Sequence, residues 1–283
     1  MRLSYYVKHM LKSLKHYGLE NPLREIRYVL KEKLNLSYEE QIFNKDLVIS
    51  VHEILELEKI FEERKKKKPL SKILNKSYFR DIILSVNEHT FSPRIDTEVL
   101  IDILIEQKIN CKNILELGTG TGALSISLLK HYKSAKSIVT DISKEAIYIA
   151  KKNAIFNNTV HQMQFICCDW LSCFENLNFD IIISNPPYIK TSEIKNLNKN
   201  VKDHDPLISL DGGVDGLDCY RVIANQSTHL INEKGYILVE IGHDQAKGVE
   251  KIFGNNDFLL TNKVKDYNKL DRVLIFVKKK IKK

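Results

Sequence analysis

An apolar run at residues 113–117 leads directly into Gly118-Thr119-Gly120-Thr121-Gly122, and a helical pattern opens at Ala123. Strand, glycine turn and helix in that order constrain the fold more than any other feature of the chain. Glycines let the backbone pass close to a ligand, and the helix N-terminus offers free N–H groups at the same place. The rhythm continues downstream. Short β-rich runs at 113–117, 137–141, 163–167, 179–184 and 235–241 alternate with helical stretches. This is the pattern of an α/β domain whose parallel sheet is covered on both faces. Two further β-rich runs, 258–260 and 272–277, lie too close together for a crossover helix, so a short hairpin is expected there.

Upstream the periodicity is different. Leu11, Leu14, Tyr17 and Leu19, then Ile26, Val29, Leu30 and Leu34, recur at helical spacing and are punctuated by Asn21-Pro22 and by residues 35–37. Residues 1–75 are therefore expected to form a small helical bundle, closed by the lysine run 65–68 and Pro69. Alternation of Phe79, Ile82, Leu84 and Val86 predicts a β-hairpin linker over 76–92, and residues 93–283 form the α/β domain.

Composition narrows the class of protein. A chain of 283 residues with 43% hydrophobic content can bury a core, and no apolar run approaches the roughly 18 residues of a membrane span. The N-terminus has neither a continuous apolar segment nor a small-residue cleavage site of the secretory kind. Cys111, Cys167, Cys168, Cys173 and Cys219 are odd in number and contain no C-x-x-C pair, which argues against metal or disulfide frameworks and for the cytoplasm. The net charge of +8 is uneven: residues 1–80 hold 18 basic and 11 acidic side chains, 81–277 hold 21 and 25, and the last six add five lysines. Basic ends point to an acidic partner near the helical part or to solvated lysine faces.

The glycine spacing is G-x-G-x-G, not the G-x-G-x-x-G of dinucleotide sites, and Glu116 would be a poor neighbour for a pyrophosphate. A cationic sulfonium ligand carrying an amino group suits that carboxylate better. Asp141 closes the second strand, where a carboxylate can take both ribose hydroxyls. Asp169 and Trp170 follow the third strand, where they can hold adenine by its exocyclic N–H and its ring face. Gly118, Thr119, Gly120, Thr121, Gly122, Asp141, Asp169 and Trp170 together favour S-adenosylmethionine over NAD.

Asn185-Pro186-Pro187-Tyr188 ends the fourth strand, at the carboxyl edge where open α/β sheets bind ligands. A planar NH₂ group has two donors, and the Asn185 side-chain oxygen and the Pro186 carbonyl can accept both. Pro187 stiffens the loop, and Tyr188 can lie against the flat face of the acceptor. The expected chemistry is methylation of an amide or amino nitrogen by in-line placement, with no metal and no dedicated base. His204 and His243 are possible bases but read as solvated or structural.

With these motifs the chain resembles the release factor glutamine N5-methyltransferases, also called the PrmC or HemK family. The resemblance runs through Asn21-Pro22, Arg64 and Pro69, the segment Ser92 to Glu98, Gly118 to Gly122, Asn185 to Tyr188, Asp211 to Leu217, and Glu240-Ile241-Gly242. It implies a seven-stranded, Rossmann-like methyltransferase fold that binds S-adenosylmethionine through Gly118 to Gly122, Asp141, Trp170 and Asn185. It further implies that Asn185 to Tyr188 hold the glutamine of a release factor's Gly-Gly-Gln loop, with Arg94 and Glu98 near the acceptor pocket. The helical domain would dock the release factor, and a monomer is expected. Ile95 stands where a second proline is usual, and Lys67 and Asn75 stand where glycines are usual.

Two other readings share parts of the pattern. A nucleic-acid adenine-N6 methyltransferase would use the same acceptors but needs base flipping and a broad basic cleft, which the mildly acidic stretch 81–277 does not favour. A non-catalytic binding protein of this fold would show a damaged glycine loop or acceptor motif, and both are intact.

Overall fold

The computed structural model describes residues 1–109, 111–175 and 177–279; most of the C-terminal lysine tail lies outside them. The chain divides into two compact units, Met1–Leu74 and Asn75–Lys283.

The first unit is helical: α1 (Leu3–His16), α2 (Pro22–Leu34), α3 (Tyr38–Phe43), α4 (Val51–Lys65) and α5 (Leu70–Leu74). Its core gathers Leu14, Ile26, Leu30, Leu57 and Phe61. Ser37 and Ser50 cap α3 and α4 in reciprocal boxes with Glu40 and Glu53. Pro69 does not end the bundle as expected. Its carbonyl accepts from Lys72 N and Ile73 N, so it opens α5 instead. Arg64 grips Glu25 bidentately, Nε to Oε2 at 2.7 Å and Nη2 to Oε1 at 3.0 Å. Lys65 and Lys66 pair with Glu62 and Glu63. Lys67 keeps a left-handed backbone (φ 70°) without glycine while its ammonium donates to the Tyr17 and Gly18 carbonyls at 2.8 and 3.1 Å. Asn75, φ 51°, is a residue type that tolerates this region.

The second unit starts with a hairpin, β1 (Lys76–Phe79) and β2 (Ile82–Ser85). It is part of this unit's core, with Phe79, Ile82 and Leu84 buried. A seven-stranded sheet follows, built from β3 (Asn113–Leu117), β4 (Lys136–Asp141), β5 (Met163–Cys167), β6 (Phe179–Ser184), β7 (Ile231–Glu240), β8 (Phe258–Lys265) and β9 (Asp271–Lys278). Their order is β5-β4-β3-β6-β7-β9-β8; only β9 runs against the others. Alternation along the strands sends Ile114, Ile181, Ile183 and Leu238 to one face, with α6 (Val99–Glu106), α7 (Ala123–His131) and α8 (Lys144–Phe156). Leu115, Ile182, Ile237 and Val239 face the other way, onto α10 (Asp218–Ser227) and α11 (Ala246–Asn255); the long β6–α10 connection carries α9 (Lys199–Lys202) between two short 3-10 helices, Thr191–Asn196 and Leu207–Ser209. No helix among the described residues is long and apolar enough to cross a membrane.

One buried amide ties the hairpin to the glycine loop. Asn153 on α8 accepts from Ser85 N at 2.7 Å and donates to Ser85 O at 3.0 Å and Thr121 O at 2.9 Å. Asn153→Ala strips all three partners inside the core, so chemical denaturation should show a loss of roughly 2–4 kcal/mol. A loss below about 0.5 kcal/mol would mean the amide is not holding the loop.

Candidate active site

β3 and β6 lie side by side, with Leu117 opposite Ser184, yet the chain leaves β3 towards β4 on one side and β6 towards β7 on the other. That reversal opens a crevice beyond the strand ends. The Ser184 hydroxyl donates to Leu117 O at 2.9 Å and locks the pair at the crevice floor. A cavity of about 560 Å³ sits there. Gly118 to Thr121 line one side, Asp141, Asp169 and Trp170 come from the ends of β4 and β5, and Asn185 to Tyr188 line the other side.

The structure thus gathers the residues predicted for the site, apart from Gly122, which is not part of the lining. A Cβ at Gly122 would come within 3.0 Å of Ile126 and 3.3 Å of Ala150, so its task is to let α7 and α8 approach. Gly118 and Gly120 are different: both have positive φ, 64° and 53°, and an added Cβ would meet nothing within 4 Å. They curve the loop away from filled space and leave a cradle. Thr119 Oγ1, buried in this loop, has no hydrogen-bond partner among the described residues. Beneath the loop Glu116 is 1% exposed and accepts from Ser125 N at 2.9 Å. Burial pushes its carboxyl up to about 7, against the pull of the Ser125 hydrogen bond and of the nearby Thr119 hydroxyl. An orphaned hydroxyl, an open glycine cradle and a carboxylate suit a ligand with an ammonium and a carboxylate.

Asp141 accepts from Gly120 N at 2.8 Å through one oxygen and from Ser143 N at 2.9 Å through the other. It therefore holds the glycine loop and the start of α8 together while keeping lone pairs for further donors. Burial raises its pKa and those N–H groups pull it down. Trp170, with φ 48°, turns the chain after β5 and packs on the core, whereas Asp169 is exposed at the rim.

The segment Asn185 to Tyr188 is held from several directions. Asn185 Nδ2 donates to Thr97 Oγ1 at 3.0 Å, and no hydrogen bond occupies its Oδ1 among the described residues. The Tyr188 hydroxyl donates to Glu240 Oε1 at 3.2 Å, which tethers the phenol end and leaves the ring along the cavity. Gln245 donates to Tyr188 O at 2.8 Å and Gly216 O at 3.1 Å. At Gly212 a Cβ would lie 2.8 Å from Tyr188 Cα, and at Gly216 one would lie 2.6 Å from Tyr188 O. Only glycine lets the 211–217 loop pack directly on the back of this segment.

Sequence reasoning did not find Gln245 or Arg272, which meet the site from distant parts of the chain; Thr97 and Glu240 stood only as members of matched motifs, with no role assigned. Arg94 lines the cavity but pairs with Asp205 at 2.9 Å, while Glu98 accepts from Arg80 N on the edge of a separate, charged depression. His204 and His243 do not line the cavity.

The buried carboxyls set a pH dependence. A carboxyl with a higher pKa folded than unfolded stabilises the fold fully below its ordinary value of 4.5 and loses that contribution as pH rises through about 7. Cofactor-free Glu116→Gln is expected to flatten the fall in stability between pH 4.5 and 7 by about 3 kcal/mol. An unchanged slope in denaturant titrations would contradict the burial of that charge.

The Methyltransferase small domain family matches residues 90–202 and the PrmC N-terminal domain matches residues 6–74. The release factor glutamine methyltransferase of Agrobacterium fabrum is 37% identical over 273 residues, which span 94% of this chain and 93% of that protein. A bifunctional methyltransferase of Rickettsia bellii is 33% identical across 92% of this chain, which spans only 52% of it. Among solved structures, the ribosomal protein L11 methylase of Lactobacillus delbrueckii superposes with a TM-score of 0.51 at 17% identity, covering 72% of this chain and 97% of that one. This last likeness concerns the fold alone. With relatives aligned over nearly its full length, the chain belongs to the release factor glutamine methyltransferase family and is an S-adenosylmethionine-dependent methyltransferase.

Proposed function

We propose that the protein methylates the side-chain amide nitrogen, N5, of the glutamine in the Gly-Gly-Gln motif of peptide-chain release factors. The observation that carries this reading is the Asn185 side chain: its NH₂ is spent on Thr97, so its oxygen is the end left to receive a donor. With the Pro186 carbonyl it offers two acceptors to one planar NH₂, beside the Tyr188 ring. The name carried by the Agrobacterium fabrum relative supports the choice of glutamine.

Gly118 to Thr121 would cradle the methionine end of the cofactor, Asp141 the ribose, and Asp169 and Trp170 the adenine, with Glu116 facing positive charge. Bound there, S-adenosylmethionine supplies an electrophilic methyl group whose sulfur departs as a neutral thioether. The protein's part is placement. Asn185 and Pro186 hold the amide so that its nitrogen faces the methyl donor, and their oxygens become better partners as positive charge grows on that nitrogen. Gly122 supports the site from behind, by packing.

The helical unit, residues 1–75, is assigned to release factor recognition, and the protein is taken to work as a cytoplasmic monomer. A nucleic-acid substrate is disfavoured because residues 81–277, which carry the site, hold 25 acidic against 21 basic side chains.

Mass spectrometry of a release factor incubated with the protein and S-adenosylmethionine, beside DNA and RNA, should show one added methyl on the Gly-Gly-Gln glutamine. Asn185→Ala should lower the rate at least a hundredfold, a loss of about 2.7 kcal/mol of transition-state placement, with cofactor affinity largely kept. Label in adenine, or near-normal turnover by the variant, would contradict the assignment.

A further inference from the structure

We propose that Glu240 is the positioning residue of the acceptor pocket, orienting Tyr188 directly and Asn185 through Thr97, so that one buried carboxylate sets both walls. This deepens the proposed function and rests on it.

Glu240 ends β7, next to the β6 strand that delivers Asn185, and is 2% exposed. Its Oε1 takes the Tyr188 hydroxyl at 3.2 Å. Its Oε2 is buried with no close hydrogen-bond partner among the described residues, and the Thr97 hydroxyl faces the carboxylate closely enough to favour its charged form. Thr97 is itself buried, and its oxygen receives Asn185 Nδ2 at 3.0 Å. A hydroxyl has one proton. If a carboxylate attracts that proton, the oxygen's lone pairs are left for a donor, and the Asn185 amide must present NH₂ to Thr97 and oxygen to the cavity. A neutral partner that can donate would remove this bias.

The surroundings make the charge state of Glu240 sensitive. Arg272 favours the ionised form, but its Nε and Nη2 are held by Asp266 at 3.1 and 3.0 Å, and its Nη1 donates to Ile241 O at 3.0 Å and, at the longer distance of 3.5 Å, to the Tyr188 hydroxyl. Asp96, which lines the cavity, opposes ionisation. Tyr188 and Tyr220 also face this end of β7; the Tyr220 hydroxyl donates to the Glu240 backbone oxygen at 2.7 Å. Burial is the largest influence and brings the carboxyl up to about 7. Glu116 lines the cofactor side of the same cavity and is raised to a similar value, so an acid limb is assigned to Glu240 by its loss in Glu240→Gln.

The test is the rate of methyl transfer to an unmodified release factor, at saturating S-adenosylmethionine, from pH 5.5 to 8.5. In the parent enzyme kcat should rise through an acid limb near pH 7 as Glu240 ionises. Glu240→Gln should lower kcat about ten- to hundredfold, the size of losing one charge-assisted hydrogen bond, and should flatten that limb. Cofactor affinity, read by calorimetry, should stay within about threefold because the glycine loop is untouched. Thr97→Val, which keeps shape but removes the hydroxyl, should show a comparable fall, and Thr97→Ser should restore most of the rate. A parent-like pH profile in Glu240→Gln, or equal rates for Thr97→Val and Thr97→Ser, overturns the positioning role while leaving the proposed function standing. A parent enzyme that transfers no methyl to the release factor overturns both.

Discussion

The site depends on the parallel pairing of β3 with β6. Leu117 and Ser184 sit opposite each other, bound by the Ser184 hydroxyl, so Gly118 and Asn185 leave the sheet at the same level on adjacent strands. One loop then opens a glycine cradle and the other carries Asn185 to Tyr188, and the two share one cavity. Separating them by one strand, about 4.8 Å further apart, would exceed the reach that methyl transfer tolerates.

Rigidity is supplied from behind Asn185 to Tyr188. Gly212 and Gly216 bring the 211–217 loop against Pro187 and Tyr188, and Gln245 bridges the two with its side-chain amide. Asn153 does the same work for the glycine loop. Buried polar groups thereby serve two ends: they satisfy loop backbone that no strand or helix pairs, and they fix the orientation of the side chains in front. The cost is charge held out of water at Glu116 and Glu240, expressed as carboxyls that titrate near neutral pH.

Most of the sheet was legible in the sequence because buried parallel strands read as short apolar runs, as at 181–183. The strands extended beyond their expected limits where that signal fades. β7 begins at Ile231, ahead of the expected residue 235, because Asn232, Glu233 and Lys234 interrupt the apolar pattern. β8 runs on to Lys265 because an edge strand with one exposed side can carry Thr261, Asn262 and Lys263. The segments at Gly118 and Asn185 were legible because their chemistry is local. Gln245, Arg272 and the contact of Thr97 with Asn185 were not, since each reaches the site only after the chain has folded across dozens of residues. Pro69 misled because proline both ends and begins helices, and the difference lies in carbonyl bonding that sequence does not display.

The central claim is that Asn185 presents a fixed oxygen to a planar amide. A crystal structure with S-adenosylhomocysteine and a Gly-Gly-Gln peptide tests it most directly. The glutamine nitrogen should lie at about 2.9 Å from both Asn185 Oδ1 and Pro186 O, with Asn185 Nδ2 still on Thr97. A glutamine bound elsewhere in the cavity, or an Asn185 amide turned so that its NH₂ faces the ligand, would contradict the account.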